Sequence, residues 1–363
     1  MTRPMTRLGF IGTGWIGLDR MRAMLAIEGV EAVAICEPNP AMAAEALKLA
    51  PDAALVTSLD EMLALAPDGV VIATPSALHA AQCLRVLEAG AAVFCQKPLG
   101  RNAAEVEQVL AAARRADRLL GVDLSYRYTE GMRAVRELIG SGALGTVYAA
   151  NLVFHNAYGP DKAWFYDLEL SGGGCVIDLG IHLVDLALWT LDFPQVTGVS
   201  SRLYSKGRPL EAGGIEDFAS ATLDLEDGAT VQVACSWNLA AGSDAVIGAE
   251  FYGTEGGAAF RNVDGSFYDF TAERLNGTRR ERLADPPDAW GGRAAAHWAQ
   301  SLAQGSRWSG STIGLSEAAT AIDRIYGASG RGGTAGTGPA TAEASAPQQP
   351  CIAAADQAVP TLG

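Results

Sequence analysis

The feature that most constrains the fold is a glycine-rich turn near the N-terminus, between a short apolar stretch and a helical stretch. Its sequence is Gly12-Thr13-Gly14-Trp15-Ile16-Gly17, a complete G-x-G-x-x-G motif, and residues 8–11 before it predict a buried strand. In such a unit the first glycine permits the tight turn, the second lets a pyrophosphate approach the backbone, and the third allows close helix–strand packing. The helix start favours negative charge. All six residues are therefore candidate contacts for a dinucleotide.

The first third of the chain alternates short apolar strands with alanine- and leucine-rich helical stretches. Helices are predicted at 15–28, 41–50, 77–89 and 103–118, and further strands at 30–36, 69–73, 92–95 and 119–123. Ser58 begins a capping box with Glu61, and Asn102 can cap the helix that follows it. Strands separated by helices of this length imply parallel pairing with right-handed crossovers. Residues 1–124 are thus predicted to form an α/β domain with a Rossmann, doubly wound parallel sheet.

The pattern changes after residue 124. Alternating strands are predicted at 146–155, 198–204, 218–225, 229–237 and 249–252, and helices at 129–141, 175–191, 289–304 and 315–326. Turns such as Glu226-Asp227-Gly228 are typical of antiparallel hairpins. Residues 125–327 are therefore predicted to form an α+β domain with an open, mainly antiparallel sheet. Residues 328–363 contain almost no large apolar side chains, which predicts a disordered low-complexity tail.

Composition excludes several classes of partner. The net charge is −14, from 41 acidic and 27 basic residues, and this charge would repel nucleic acid or an anionic membrane surface. No apolar run is expected to reach a membrane-spanning length, and the N-terminus has no export signal. Six cysteines without C-x-x-C pairs favour buried thiols in a reducing compartment over a disulfide framework or a zinc site. These observations predict a cytoplasmic protein with no nucleic-acid, membrane or metal partner.

Glu37 is the residue that most directly predicts the cofactor. It lies twenty residues after Gly17, at the end of the second predicted strand. A carboxylate there accepts hydrogen bonds from adenosine ribose hydroxyls and repels a 2′-phosphate. Pro38 follows and offers no cation to a phosphate. The sequence therefore favours NAD over NADP, although a loop carboxylate that contacts only water is the alternative.

The ends of two further predicted strands supply the remaining candidate cofactor contacts. They are Thr74, Pro75 and Ser76 with His79 in the helix that follows, and Gln96 with Lys97. Because the carboxyl ends of parallel strands line the cofactor crevice, these residues are expected to meet the bound dinucleotide. Ser76 is also suited to cap a helix, and an ordinary packing role explains His79 equally well.

The candidate catalytic residues are Lys97, Asp178 and His182. Lys97 follows an apolar strand and can polarise a substrate oxygen, although a surface lysine is the alternative. Asp178 and His182 are four residues apart on a mostly apolar helix, and Asp185 extends the same face. Burying such groups is costly unless they are paired or functional. His182 can accept a hydroxyl proton while hydride leaves the same carbon; a structural Asp–His pair, or a metal site lacking an evident third ligand, are the alternatives.

Together these blocks resemble the glucose–fructose oxidoreductase / inositol dehydrogenase / MocA (Gfo/Idh/MocA) family over residues 6–332. The resemblance rests on the segments FIGTGWIG, ATPSALHA, AAVFCQKPLG, GALG at 142–145 and GGGCVIDLGIHLVDLALW. It implies that Lys97 and His182 are catalytic and that Asp178 assists substrate binding. It also implies that these three line the substrate cleft together with Arg127, Trp164 and Tyr166, and that the second sheet forms a homodimer or homotetramer.

In one position the chain departs from the family's E-K-P motif, because Gln96 replaces the glutamate before the lysine. An amide nearly preserves the shape of the side chain and can accept a hydrogen bond, but it removes a charge beside Lys97. Since Lys97, Asp178 and His182 are all present, we interpret the replacement as tuning of the site rather than loss of activity.

The predicted function is NAD(P)-dependent interconversion of a secondary alcohol and a ketone by hydride transfer. The resemblance implies a sugar, a sugar derivative or a cyclic polyol as substrate. Two alternatives are an NAD-binding regulator without turnover and a redox-assisted glycosidase or lyase that retains its NAD. Net reduction of free NAD separates the dehydrogenase from both alternatives, and glycoside cleavage without net NADH indicates the last.

Overall fold

Two sheets organise the chain in the computed structural model, which describes residues 5–309, 312 and 314–330. The first sheet has six parallel strands in the order β3-β2-β1-β4-β5-β6. Its strands are β1 (Thr6–Ile11), β2 (Val30–Cys36), β3 (Ala54–Leu55), β4 (Gly69–Ile72), β5 (Ala92–Cys95) and β6 (Leu120–Val122). This is the predicted Rossmann order, in which the crevice for a dinucleotide lies beside β1 and β4.

Helices connect these strands much as the sequence predicts. They are α1 (Trp15–Leu25), α2 (Pro40–Leu49), α3 (Leu59–Ala64), α4 (Ser76–Glu88) and α5 (Ala103–Ala116). The Ser58 side chain accepts a hydrogen bond from the backbone N–H of Glu61, and that of Asn102 accepts one from Glu105, so both predicted caps are confirmed. The short strand β3 is absent from the predictions, because its two residues are exposed and carry no pattern.

The second sheet has nine strands in the order β15-β14-β13-β12-β7-β11-β10-β8-β9, and only β7 and β11 are parallel neighbours. Its strands are β7 (Val147–Asn156), β8 (Val196–Ser205), β9 (Arg208–Pro209), β10 (Phe218–Leu225), β11 (Thr230–Ser236), β12 (Ala245–Gly253), β13 (Gly257–Asn262), β14 (Phe270–Asn276) and β15 (Arg279–Ala284). The mainly antiparallel sheet is as predicted. Strands β13 to β15 and β9 are additional. Charged side chains, typical of protected sheet edges, obscure the alternation in β14 and β15.

Helices cover one face of the second sheet, and one helix returns to the first. The helical elements are the 3₁₀ turns Ser125–Tyr128 and Ala163–Tyr166, the π-helical turn Val176–Gly180, α6 (Glu130–Gly140), α7 (Leu168–Ser171), α8 (Ile181–Thr190), α9 (Arg293–Ala303) and α10 (Leu315–Ala328). Residues of α8 and α10 join the core beneath the second sheet. Helix α9 instead packs on the first sheet, where Trp298 meets Phe94 with ring centroids 5.6 Å apart.

One buried stretch corrects an expectation about membranes. Leu168–Thr190 is long and apolar enough to cross a membrane, with 23 residues and a mean hydropathy of 1.4, so the expectation that no run reaches that length is wrong. Since 83% of its most apolar window is buried in the protein, it is accounted for as a core helix. From residue 331 onward the predicted tail lies outside the described residues.

Four of the six cysteines are buried free thiols, as expected: Cys83, Cys95, Cys175 and Cys235. Cys36 is disulfide-bonded, so the expectation of a free thiol is wrong there.

Candidate active site

The glycine-rich turn has the predicted geometry, because two of its glycines are required by the protein's own packing. Gly12 has a φ of +80°, and a Cβ there would lie 2.5 Å from the carbonyl oxygen of Ala73. A Cβ at Gly17 would lie 2.1 Å from the carbonyl oxygen of Gly12. A Cβ at Gly14, in contrast, would meet no protein atom within 4 Å. The backbone at Gly14 is therefore open to close approach, which fits the pyrophosphate of a dinucleotide.

Glu37 holds this turn from the end of β2. Its Oε2 accepts a hydrogen bond from the backbone N–H of Thr13 at 2.7 Å, and its Oε1 accepts one from the backbone N–H of Asn39 at 3.0 Å. Thr13 is fully buried, whereas Trp15 is 71% exposed and Ile16 is partly buried. The Glu37 carboxylate is thus fixed beside the turn, which fits the predicted contact with ribose hydroxyls better than a freely solvated side chain does.

His79 joins the loops that follow β4 and β5. Its Nε2 lies 2.7 Å from the carbonyl oxygen of Thr74, and its Nδ1 lies 2.6 Å from that of Pro98, which follows a cis peptide bond. The side chain is fully buried, and this burial lowers its pKa. Since both ring nitrogens face backbone oxygens, the placement favours a packing role over direct contact with a cofactor.

The neighbouring predicted contacts are also largely buried. The Thr74 hydroxyl donates to Gln82 Oε1 at 2.7 Å. Ser76 begins α4, but Pro75 precedes the helix and no side chain caps it, so the capping role considered for Ser76 is not observed. Gln96 is buried and donates through Nε2 to Asp123 Oδ2 at 2.6 Å. These loops are therefore rigid at the edge of the crevice.

Lys97 lies just after β5, next to Gln96, and is joined to the second domain through Asp178. Its Nζ donates to Asp178 Oδ1 at 2.7 Å and to the backbone carbonyl oxygen of Asp178 at 2.8 Å. The two side chains are 21% and 14% exposed. Asp178 lies in the π-helical turn that leads into α8, and such turns are frequent at functional sites. The Lys97 cation is thus held between the two domains rather than solvated at a surface loop.

His182 lies one turn beyond Asp178, in a pocket of aromatic rings. Tyr126 packs edge-on against it with ring centroids 5.0 Å apart, and Phe154 lies at 6.2 Å. Burial, followed by the nearby charges of Lys97 and Arg20, holds the pKa of His182 well below its usual range. Within the described residues His182 makes no hydrogen bond to Asp178, so the pair is not a structural Asp–His contact. A neutral imidazole in this position can accept a proton.

Arg127, which the resemblance predicts to line the substrate cleft, forms a buried ion pair with Asp185. Its Nε donates to Asp185 Oδ2 at 2.8 Å, and its Nη2 donates to Asp185 Oδ1. The two side chains are 12% and 2% exposed, and the guanidinium also lies over the ring of Phe193 at 5.3 Å. This ion pair ties the 3₁₀ turn after β6 to α8, and it accounts for Asp185 on the predicted polar face.

The aromatic segment beside Asp178 is only partly as predicted. Tyr166 is half-exposed and packs edge-on against Trp237 at 5.7 Å, and its pKa is raised by partial burial and by the charges of Asp178, Asp161 and Asp217. Trp164 instead stacks on Phe165 at 3.8 Å. Phe165 also packs edge-on against Trp237, at 6.2 Å, so Phe165 and Tyr166 both lie against the tryptophan that contacts Asp178.

Two residues that position Asp178 were missed in the sequence. Trp237, just after β11, donates from Nε1 to Asp178 Oδ2 at 3.1 Å. Glu216 is fully buried, and its Oε1 accepts hydrogen bonds from the backbone N–H groups of Gly174 and Val176 at 2.9 and 3.0 Å. The only sequence signal for Trp237 is a tryptophan closing a strand, and Glu216 has none that separates it from its neighbour Asp217.

A Rossmann glycine turn, together with a lysine paired to an aspartate and a buried neutral histidine, defines a two-domain oxidoreductase that uses a nicotinamide dinucleotide. Residues 6–124 match the family model described as an oxidoreductase family with an NAD-binding Rossmann fold, and residues 132–259 match the GFO/IDH/MocA C-terminal domain. The chain belongs to the Gfo/Idh/MocA family of oxidoreductases.

Curated relatives agree with this assignment, and solved structures share the fold. D-glucoside 3-dehydrogenase of Escherichia coli is 28% identical over 71% of this chain and 78% of its own length. Inositol 2-dehydrogenase of Gluconacetobacter diazotrophicus is 30% identical over 66% and 71%. GenD2 from gentamicin A biosynthesis, solved with NAD, has a TM-score of 0.76 at 24% identity, covering 91% of this chain and 95% of that one. KijD10, a 3-ketoreductase from Actinomadura kijaniata solved with NADP, has a TM-score of 0.76 at 21% identity, with coverage of 90% and 98%.

Proposed function

We propose that this protein is an NAD-dependent dehydrogenase that oxidises a secondary alcohol of a sugar, a sugar derivative or a cyclic polyol to a ketone. The observation that carries the proposal is the joining of Lys97 to Asp178 at 2.7 Å, with the buried His182 one turn further along the same helix. The names of the D-glucoside 3-dehydrogenase and inositol 2-dehydrogenase relatives support this substrate class.

Each residue has a distinct role in the proposed mechanism. The nicotinamide, when bound, supplies the hydride acceptor. Neutral His182 accepts the hydroxyl proton of the substrate at a ring nitrogen, and it returns that proton when a ketone is reduced. The Lys97 ammonium stabilises negative charge that develops on the substrate oxygen, while Asp178 keeps it in place. Tyr166 forms part of the wall on the Asp178 side.

The preference for NAD rests on Glu37. Its carboxylate is fixed beside the glycine-rich turn by the hydrogen bonds from Thr13 and Asn39. A 2′-phosphate placed there would meet a negative charge, whereas ribose hydroxyls would find an acceptor. Replacement of Glu37 by Gln should therefore lower the NADP dissociation constant relative to the NAD dissociation constant.

The proposal also covers the oligomeric state, the cellular location and the partners of the protein. The open face of the second sheet carries exposed side chains such as Tyr148, which is 55% exposed, and this supports a homodimer or homotetramer formed through that sheet. The net charge of −14 disfavours nucleic-acid and anionic membrane partners. The four buried free thiols support a cytoplasmic location.

The test is NAD reduction, followed by absorbance near 340 nm, over a panel of glucosides, free sugars and inositols. We expect Lys97→Ala and His182→Ala each to lower kcat/KM by roughly 10²- to 10⁴-fold. Exposed residues of the same types provide matched controls, Lys48→Ala and His297→Ala, which should retain activity. NAD binding without turnover on the whole panel would contradict the proposal in favour of a regulator. Glycoside cleavage without net NADH would favour the NAD-retaining glycosidase or lyase.

A further inference from the structure

A buried network of polar groups surrounds Gln96, the residue directly before Lys97, and none of its members is assigned a step in the chemistry proposed above. Asp123 Oδ2 accepts hydrogen bonds from Arg20 Nε and from Gln96 Nε2, both at 2.6 Å. Asp123 Oδ1 accepts one from the Ser125 hydroxyl at 2.6 Å, and Arg20 Nη2 donates to the same hydroxyl at 3.2 Å. All four side chains are at most 8% exposed. The network joins α1 to the ends of β5 and β6.

The charges in this network explain why an amide stands at position 96. The buried Arg20 guanidinium faces the Asp123 carboxylate, and Gln96 adds a neutral donor to the same oxygen. A glutamate at position 96 would bring a second carboxylate against Asp123 Oδ2, where Gln96 Nε2 now donates. Two carboxylates at such a distance cannot both be ionised. Gln96 and Asp123 are therefore a matched amide–carboxylate pair.

We propose that Asp123 supplies, from the neighbouring strand end, the carboxylate that the E-K-P motif of the family carries at position 96, and that it is a positioning residue for Lys97. The amide of Gln96 is the partner that Asp123 requires, and fixing that side chain fixes the backbone that presents Lys97. The importance of Lys97 in this proposal rests on the proposed function.

Asp123 also balances charge around His182. The charges that act on His182 are those of Lys97 after β5 and Arg20 of α1, and the rings of Tyr126 and Phe154 pack against it. The carboxylates of its own helix are engaged elsewhere, Asp178 with Lys97 and Asp185 with Arg127. The Arg20 cation lowers the pKa of His182, and two carboxylates pair with that cation, the buried Asp123 and the partly exposed Asp19. Loss of the Asp123 charge therefore lowers the pKa of His182 further.

A charge-exchange cycle tests the proposal with four proteins: the parent, Gln96→Glu, Asp123→Asn and the double variant Gln96→Glu/Asp123→Asn. Each single change breaks the balance: Gln96→Glu places a second carboxylate against Asp123, and Asp123→Asn leaves Arg20 with only the partly exposed Asp19 as its ion-pair partner. Each should lower the melting temperature by several degrees. Each should also lower kcat/KM by up to about 10²-fold through misplacement of Lys97. The double variant restores one carboxylate and one amide, and it should recover most of both losses. Asp60→Asn, which breaks the exposed pair with Arg85, is the control and should change little.

The outcomes separate this proposal from the proposed function. A double variant that is no more stable than the worse single variant overturns the proposal for Asp123. In Asp123→Asn, a shift of the acid limb of the pH–rate profile to lower pH supports the proposal, and an unchanged limb overturns it. If a single variant does not fold, recovery of folding in the double variant is the supporting result and failure to recover overturns the proposal. If the parent turns over no substrate, the proposed function fails. Melting temperatures and NAD dissociation constants still decide whether the carboxylate and the amide can be exchanged between positions 96 and 123.

Discussion

On the cofactor side of the site, the contacts that shape the loops join groups close together in the chain, whereas the catalytic helix is held by groups far from it. Thr13 and Glu37 are 24 residues apart, and Thr74 and His79 are five apart. On the catalytic side, Glu216 is 42 residues from Gly174, and Trp237 is 59 residues from Asp178. Backbone turns therefore define the cofactor site locally, whereas buried side chains from distant segments position the catalytic groups.

The strongest test of this contrast is the buried ion pair on the catalytic side. Asp185→Asn leaves the Arg127 guanidinium buried without its charge partner, which should lower the free energy of unfolding by about 3–5 kcal/mol. Urea denaturation measures the loss. Replacing both residues together by apolar ones, as in Arg127→Met/Asp185→Leu, should recover much of it.

Asp192→Asn is the matched control, because Asp192 is 91% exposed and its pair with Arg136 spans 3.4 Å. We expect a change below about 0.5 kcal/mol for this exposed pair. Equal losses for Asp185→Asn and Asp192→Asn would show that α8 is not held by long-range burial, and the contrast between the two sides would fail.

The cofactor side is tested by two glycines of one turn. Gly17→Ala places a Cβ against the carbonyl oxygen of Gly12 and should cost about 1–3 kcal/mol of stability together with NAD binding. Gly14→Ala meets no protein atom, so stability should be unchanged while the NAD dissociation constant rises on the order of tenfold. Thermal unfolding and NAD titration of both variants measure these effects. If Gly14→Ala bound NAD like the parent, the turn would not be where the pyrophosphate lies.

This contrast also explains what could be predicted from the sequence. The turn from Gly12 to Gly17 and the positions of Glu37 and Lys97 follow from strand ends and short spacing, which a single chain displays directly. Glu216 and Trp237 could not be found in this way, because their partners are brought to them only by the packing of the second sheet against the catalytic helix.

Arg127 is a second case in which the partner of a polar side chain could not be read from the sequence. The resemblance implied a substrate contact for Arg127, and the structure shows a bidentate ion pair between its guanidinium and the buried carboxylate of Asp185. Strands β14 and β15, at one end of the second sheet, were missed for a related reason, since strands rich in charged residues lack the alternation that identifies a half-buried strand. Sequence patterns report local conformation well, whereas the pairing of a polar side chain depends on the fold.

The smallest expected effect compares the buried histidines of the two sides by pH. Burial lowers the pKa of both His79 and His182, so below about pH 6.5 the unfolded chain binds more protons than the folded one. Their contribution to stability is therefore present above that pH and is lost as the pH falls. Burial and the Lys97 charge lower the pKa of both histidines, but two backbone carbonyl oxygens raise the pKa of His79, whereas the additional charge of Arg20 lowers that of His182. His182 should thus carry more of the acid sensitivity.

We expect the free energy of unfolding to fall between pH 7 and pH 5, with a slope of up to about 1.4 kcal/mol per pH unit for each histidine that stays neutral when folded. His182→Gln should flatten this slope more than His79→Gln does, and His297→Gln, at an exposed position, should leave it unchanged. Urea unfolding at pH 5, 6, 7 and 8 measures all four proteins. An equal flattening in His79→Gln and His182→Gln would mean that the cations near His182 do not distinguish it from the histidine of the cofactor side.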